Sequence, residues 1–383
     1  MFSSCQFTTP FLLAALHLPA IGLAQSDPLM TTGDMAIHAD NVGQLSGNYK
    51  EKTQTDFVAL PIPQSNPALG FGVTLIGMAL YNPNNSDRPW VTGAGAMKAG
   101  SSHAVGVVQQ ASLLQNRLRL LAGYARANLD LRFYGIGAAA GDRDTSIPLD
   151  QSGRGGFAQA LYQIGDHWFA GLRYQNMHLK SSIDLTRMRQ LGTVIPDANL
   201  KLQMASLGPA FEYDSRDDSF YPTEGVFAKA NLNFFSPKFD SDASFRHLSA
   251  SWNRYWQYSP STVLAARVSG CVVGGQVPFT NLCMYGRNND LRGYSTGQYR
   301  DRAMLAAQTE IRWRVGERWG VVAFAGAGAI GPSFAELPHQ KILPSVGAGL
   351  RWQASKDYKV NISVDLAITK GNNAIYLYVG EAF

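Results

Sequence analysis

Arg292 is the residue of this chain whose neighbours best suit specific chemistry. It lies in the run Leu291-Arg292-Gly293-Tyr294, within a long segment between two predicted strands. Glycine allows the chain to turn sharply after the arginine. The guanidinium can then present its planar fork to a carboxylate or an aromatic face. From these residues alone, a solvated surface arginine remains open as the alternative.

A second polar group lies upstream and is typical of a turn. Asp214, Arg216 and Asp217 are followed by Pro222 and Gly225, and proline and glycine favour turns. The acids could attract a cation, but a solvated acidic turn is the simpler interpretation, so no metal site is predicted. The seven histidines have no metal-ligand spacing. No side chain has the context of a catalytic nucleophile, so the sequence predicts neither an enzyme nor a cofactor.

The cysteines bear on where the chain folds. Residues 1–24 carry no charged side chain and end in small residues that a signal peptidase reads, which predicts a signal peptide containing Cys5. In an exported chain the remaining pair, Cys271 and Cys283, is expected to form a disulfide. Two unpaired thiols are the alternative.

The composition favours a β-barrel in a membrane. The 383 residues include 38 glycines, 11% are aromatic and 16% are charged. No apolar run reaches the roughly 18 residues that a spanning helix needs. Moderate hydropathy with many aromatic residues suits a barrel that has a polar inner face; a large soluble β-protein is the alternative. The net charge of +5 forms no arginine-rich patch, so nucleic acid is not a predicted partner.

Alternation of polar and apolar residues recurs along the chain and predicts strands with one lipid-facing side. In 360–369 the residues Asn361, Ser363 and Asp365 share the inner face. The last strand ends at Phe383, which is placed on the apolar face with Val379. Because an open sheet would leave unpaired backbone groups in lipid, the strands must close.

Fifteen strands are clear, and an even number is expected in a single-chain barrel. A sixteenth, weaker strand is therefore predicted near 53–65, despite Pro61 and Pro63. The clear strands lie near 70–81, 90–99, 103–113, 118–134, 156–164, 168–180, 201–213, 225–235, 245–257, 262–273, 301–315, 319–329, 344–354, 359–369 and 374–383.

The connections between these strands alternate in length, which is the barrel signature. With Phe383 set on the periplasmic side, short turns fall on that side and long loops fall outside. The exceptions are the short connection near 100–102 and the longer turn at 214–224. The short turns lie near 165–167, 258–261, 316–318 and 355–358, and the external loops near 135–155, 181–200, 274–300 and 330–343.

These motifs in this order resemble the BamA/TamA family, the bacterial surface antigen barrels, over about Pro67 to Phe383. The resemblance implies an all-β, antiparallel transmembrane barrel of 16 strands. It also implies that the sixth external loop, which carries an Arg-Gly-aromatic tip, folds inward and plugs the lumen. The Asp-x-Arg-Asp…Pro-Thr-x-Gly segment, beginning at Asp214, then forms a periplasmic turn.

One departure from the family concerns the partner of Arg292. Relatives pair this arginine with an acid in a Phe-x-Asp-x-Gly strand, but here Phe324 is followed by Gly326 at the place of the acid. Glu310 is the first substitute, because it is on the inner face of the strand that follows the loop. Asp365 is the second, and Phe324 could supply a ring face.

The other departure concerns domains. Members of the family that insert proteins carry periplasmic POTRA domains, which do not fit into residues 25–64. We therefore expect a signal peptide at 1–24, a short periplasmic segment at 25–64 and a barrel at 65–383, in the bacterial outer membrane.

The resemblance implies a barrel related to protein insertases and translocases, which would assist the assembly of membrane proteins or lipid. A passive channel, or a structural or anchoring barrel without a client, is the alternative. The expected partners are outer-membrane lipids and lipopolysaccharide, with outer-membrane protein clients or a second copy of the chain as further candidates.

Overall fold

Sixteen antiparallel strands form the wall of the protein. The computed structural model describes residues 55–66, 70–86, 88–143, 145–183, 199–218, 221–286, 290–355, 359–370 and 373–383. Within these residues each strand pairs with the next along the chain in one sheet. The strands are β1 Asp56–Asn66, β2 Gly70–Tyr81, β3 Trp90–Ala99, β4 Ser102–Leu113, β5 Leu118–Phe133, β6 Ile147–Gly165, β7 Trp168–Ile183, β8 Asn199–Asp214, β9 Gly225–Phe235, β10 Phe245–Ser259, β11 Thr262–Gly275, β12 Ala303–Arg314, β13 Trp319–Gly331, β14 Leu343–Ser355, β15 Val360–Thr369 and β16 Asn373–Val379.

The sheet curls so that β1 and β16 lie side by side, which makes it a barrel. No hydrogen-bonded register joins these two strands in the part of the chain that the structure describes. β16 has only seven residues, and β1 contains Pro61 and Pro63, which lack N–H donors. We call this junction the seam.

Alternate residues of each strand face lipid or the lumen, as period-two alternation requires. Large apolar side chains such as Leu350 and Val364 are exposed on the outside. The end of the barrel where β1 begins and β16 ends (the terminal end) carries a girdle of exposed aromatic side chains. Its members are Tyr162, Trp168, Trp256, Tyr258, Trp313, Trp319 and Trp352. Such girdles mark the membrane–water interface of outer-membrane barrels.

The connections alternate between the terminal end and the opposite end (the loop end). The segment from β11 to β12 is the sixth connection at the loop end, as the resemblance implied. Helix α1, Ala138–Asp142, and the 3₁₀ turns Pro237–Phe239, Phe279–Asn281 and Phe334–His339 lie in loop-end connections. No helix in the described ranges is long and apolar enough to cross a membrane.

One ladder of the wall is interrupted. β8 and β9 pair at Ser206 and Leu207, and again from Ala210 to Asp214 in the same register, but not at Gly208 and Pro209. Proline has no N–H to donate, so a break at Pro209 is the expected result. This break lies between the eighth and ninth of sixteen strands, opposite the seam.

The structure differs from two predictions made from the sequence. The predicted signal peptide at 1–24 lies outside the residues that the structure describes. The wall begins at Asp56 rather than at residue 65, because the weak strand predicted near 53–65 pairs with β2 along its whole length. Phe383 does not face lipid. β16 ends at Val379, and Gly380 adopts a positive φ of 90° that turns the following residues into the lumen.

Candidate functional site: a charge ring in the lumen

The segment from β11 to β12, residues 276–302, is tied to the inside of the wall near its start. A disulfide joins Cys271 on β11 to Cys283, with the two Cα atoms 5.7 Å apart. Cys283 and Met284 then pair with Arg300 and Asp301 in a short ladder. Because Cys271 faces the lumen, the bond holds the loop inside the barrel. We call residues 276–302 the plug loop.

His247 lies beside this disulfide, with Nε2 3.4 Å from the Cys271 sulfur. The ligand atoms of His247, Cys271 and Cys283 all lie within 4.8 Å of one another. The two sulfurs are joined to each other, and metal binding needs free thiolates. These two sulfurs therefore fix the loop through their bond to each other.

Arg292 lies at the inner tip of the plug loop and is 1% exposed. Its Nη2 donates to Glu310 on β12 at 2.7 Å, and its Nη1 donates to Asp365 on β15 at 2.6 Å. The guanidinium carbon lies 3.5 Å from the centre of the Phe324 ring on β13. Both acids and the ring proposed from the sequence therefore contact Arg292 together.

Gly326 explains why the acid of the family pattern is missing from β13. A Cβ at this position would lie 2.6 Å from Cγ of Gln308 and 2.9 Å from Cδ1 of Leu291, so no side chain fits. Gln308 uses the space instead and donates to the Asp290 carbonyl at 2.8 Å. The carboxylates come from the neighbouring strands, from Glu310 and Asp365.

The residues that flank Arg292 fix its orientation. Gly293 has a φ of 106°, which a side chain would rarely tolerate. Its N–H donates to the Tyr376 hydroxyl on β16 at 2.7 Å. The Tyr294 hydroxyl donates to the Pro344 carbonyl at 2.7 Å, and Leu291 is fully buried among apolar side chains. The tip thus contacts the last five strands of the wall.

Arg292 belongs to a closed ring of alternating charges, which we call the charge ring. Its members are Arg292, Glu310, Arg312, Glu381, Arg351 and Asp365. The Arg312 contacts are 2.7 Å to Glu310 and 3.7 Å to Glu381, and the Arg351 contacts are 2.8 Å to Glu381 and 2.5 Å to Asp365. Each member contacts two residues of opposite charge. Because the ring holds three arginines and three acids, its formal charges cancel. Neutrality offsets the cost of burying ions.

Glu381 and Phe383 belong to the residues after β16 and enter the lumen, and we call residues 380–383 the inward segment. Asn361 donates to the Glu381 carboxylate at 2.6 Å. The Phe383 ring packs against Phe227 and Tyr255 on the far side of the lumen. Sequence alternation missed this arrangement because it assumes that the strand continues to its last residue.

Asp290 is a buried acid of the plug loop, and it does not belong to a membrane strand. One carboxylate oxygen accepts from the Leu291 N–H at 2.9 Å, and the other, Oδ2, has no hydrogen-bond partner among the described residues. Burial raises the pKa of Asp290 to about 6, even though three backbone N–H groups and nearby Arg267 favour the charged form.

A second buried group lies at the terminal end around Asp214, and we call it the Asp214 cluster. Arg216 donates to both carboxylate oxygens, at 2.8 and 3.1 Å. Arg88 also bonds to Asp214, while Arg119 bonds to Glu212 and lies 3.7 Å from Asp214. Three arginines thus share two acids, and the sequence interpretation of a solvated acidic turn is wrong for Asp214, which is buried and paired.

The turn after β8 covers the terminal end of the lumen. Asp217 accepts the N–H groups of Thr223 and Glu224 at 2.9 and 3.0 Å, which fixes the turn. The Pro222 carbonyl accepts from Arg312 at 3.4 Å, and Gly225 has a φ of 101° where β9 begins. The predicted turn motif therefore reaches the charge ring.

The loop end is covered as well. Tyr299 of the plug loop donates to Asp142 of α1 at 2.8 Å, and Lys341 bonds to the same carboxylate at 2.6 Å. Burial alone would raise the pKa of Asp142, but the hydrogen bonds from Lys341 and Tyr299 outweigh it and lower the pKa. Three loop-end segments therefore join above the plug.

A membrane β-barrel with an arginine-centred plug in its lumen is the class that this fold and site define. Residues 112–383 match the model of the Omp85 superfamily domain, and the chain belongs to that superfamily. It is therefore an outer-membrane β-barrel of a superfamily that includes protein insertases and translocases.

Solved structures with the same fold support this assignment. BamA from Haemophilus ducreyi lacking POTRA domains 1–3 is similar at 14% identity and a TM-score of 0.56, over 86% of this chain and 70% of that chain. CdiB from Escherichia coli is similar at 12% identity and a TM-score of 0.57, over 94% and 74%. CdiB from Acinetobacter baumannii is similar at 9% identity and a TM-score of 0.53, over 84% of this chain and 57% of that chain. No curated protein matches the chain in sequence.

Proposed function

We propose that this barrel assists the assembly of membrane proteins or lipid in the outer membrane, acting at its seam. The observation that carries the proposal is the contrast between the seam and the lumen. β1 and β16 lie together without a hydrogen-bonded register among the described residues. Unpaired strand edges are templates for another strand, so the seam is suited to pairing with a client.

The filled lumen supports this function over a passive channel. The plug loop occupies the interior through Arg292. The turn after β8 covers it at the terminal end, and α1 and Lys341 cover it at the loop end. A solute would have to displace all three. In the proposed function the working partners are outer-membrane lipids, lipopolysaccharide and an unfolded barrel protein or a second copy of the chain.

The test is a folding assay in vesicles of outer-membrane lipid. An unfolded, heat-modifiable barrel protein is added to vesicles with and without this chain, and its folded fraction is followed by gel migration. We expect faster folding with the chain, and loss of that acceleration when cysteines placed on β1 and β16 are cross-linked. Equal folding rates in all vesicles, together with steady ion conductance, would instead support the passive channel.

In cells, deletion of the gene gives a complementary measurement. We expect lower levels of some outer-membrane proteins, or phospholipid in the outer leaflet, and restoration of both by the intact chain. An unchanged outer-membrane proteome with unchanged lipid asymmetry would support a structural or anchoring barrel.

A further inference from the structure

The inward segment connects the seam strand to the plug loop. After Val379 the Gly380 N–H donates to the Asn361 carbonyl at 2.8 Å, and the Gly380 carbonyl accepts from Ser363 at 2.6 Å. These two bonds to β15 hold the turn. Beyond it the chain leaves the wall, so β16 stops four residues before Phe383.

Glu381 then closes the charge ring. Its carboxylate lies 2.8 Å from Arg351 and 3.7 Å from Arg312, and its side chain is 2% exposed. Without Glu381, each of these arginines would keep only one carboxylate of the ring. A buried guanidinium that loses a partner draws more strongly on the remaining one, and the remaining ones are Glu310 and Asp365, the two acids that hold Arg292.

Phe383 holds the inward segment across the lumen. Its main-chain oxygen accepts from Arg312 at 2.5 Å, and its ring packs among Phe227, Tyr255 and Ala265 on β9, β10 and β11. Its ring centre also lies 5.8 Å from the Arg292 guanidinium carbon. Removing the segment from the lumen would therefore break contacts with Arg312 and Arg292 together.

We propose that the inward segment is a latch that couples the seam to the plug loop through Glu381. While the latch is in the lumen, β16 stays short and Arg292 stays bound. When it leaves, β16 is free to lengthen along β1, and the charge ring loses Glu381, which weakens the hold on Arg292. This inference rests on the proposed function for its purpose, but its mechanism is a property of the chain alone.

Coupling between two sites must be reciprocal, and this gives the experiment. The full chain is placed in lipid vesicles, and two rates are measured: cleavage of the plug loop by an external protease, and hydrogen exchange of residues 373–383. Glu381→Gln should speed cleavage about fivefold to tenfold, a typical coupling. Arg292→Lys should speed exchange at Gly380 by a similar factor. Glu224→Gln, an exposed acid at the same end, is the control and should change neither rate.

The double variant Glu381→Gln/Arg292→Lys separates a latch from two independent weaknesses. In a coupled system its cleavage rate stays well below the product of the two single effects. If the effects multiply, or if each substitution speeds only its own segment, the latch is refuted. Phe383→Ala keeps the ring charges, so it provides a milder second test should Glu381→Gln fail to give a heat-modifiable barrel.

Both rates are measured without a client protein. A barrel that shows reciprocal coupling but no acceleration of client folding would keep the latch and reject the proposed function. A barrel that accelerates client folding but shows no reciprocal coupling would support the proposed function and reject the latch.

Discussion

The charge ring and the Asp214 cluster are both buried in the lumen, yet they are built differently. In the ring three arginines alternate with three acids, and each acid touches two arginines. In the cluster Arg88, Arg119 and Arg216 all lie within ion-pair distance of the single carboxylate of Asp214. The ring joins two segments that leave the wall, whereas the cluster joins the wall to its own turns. If the charge ring loses one residue, each remaining residue keeps at least one oppositely charged partner. If the Asp214 cluster loses Asp214, three arginines lose the carboxylate that they share.

The largest effect is therefore expected from Asp214→Asn. It leaves Arg88 and Arg216 buried without a full counter-charge, which typically costs about 3–5 kcal/mol. The free energy of unfolding, measured by urea titration of the heat-modifiable form in vesicles, should fall by this amount. Glu224→Gln, exposed in the neighbouring turn, should leave it unchanged. If Asp214→Asn lowers the free energy of unfolding no more than Arg292→Ala does, the proposed difference between the Asp214 cluster and the charge ring is wrong.

Arg292→Ala should cost less stability than the roughly 3–5 kcal/mol typical of an unpaired buried charge, because Glu310 and Asp365 each keep one arginine. Its larger effect should be local: external protease should cut near Tyr294, and ion conductance should rise. Arg292→Lys should restore protection only in part, since a point charge cannot reproduce the fork that binds two acids at once. Full protection in the alanine variant would show that the disulfide and Leu291 hold the loop without the ring.

Asp290 should make the docking of the plug loop depend on pH. Its pKa is about 6 in the docked loop and about 3.9 in a free one, so docking takes up a proton. The stabilisation is fully present below the lower value and is lost as pH rises through 6. Between pH 7 and pH 5 docking should strengthen by about 1 kcal/mol, seen as slower proteolysis. Asp290→Asn should abolish this difference, and a difference that persists would assign it to another group.

The smallest effect is expected at the loop end, from Lys341→Met. Both side chains of the Lys341–Asp142 pair are more than a third exposed, and such pairs contribute about 0.2–1 kcal/mol. The unfolding free energy should change by no more than this, and added salt should remove the difference. A larger loss that survives high salt would mean that the three loop-end segments carry stability comparable to that of the buried charges.

Much of this architecture can be predicted from the sequence, because the face of a strand on which a side chain lies depends only on its position along that strand. Alternation identifies which side chains face the lumen, so Glu310 and Asp365 could be proposed as partners of Arg292. The even strand rule located β1 where the pattern itself is weak. Because successive connections alternate between the two ends of the barrel, counting them placed the plug loop and the turn after Asp214 at opposite ends.

The features that the sequence did not predict depend on how high each lumen-facing residue lies along the barrel axis and on the φ angle of one residue, Gly380. Alternation does not say which inward residues lie at the same height, so it gave two alternative acids where the structure uses both. It also gave no sign that Arg312 and Arg351 complete a ring. The positive φ at Gly380 turns all the residues after it into the lumen, so the alternation rule predicted the wrong side of the wall for Phe383.

The interrupted ladder at Gly208 and Pro209 has a mechanical consequence. A hollow cylinder that is slit along one side widens by flexing along the line opposite the slit, where bending is greatest. The seam lies between β16 and β1, and the interruption lies between β8 and β9, half a circumference away. With two residue pairs missing there, the wall should bend more easily along this line than along its continuous ladders, and a widening of the seam would need bending at this line.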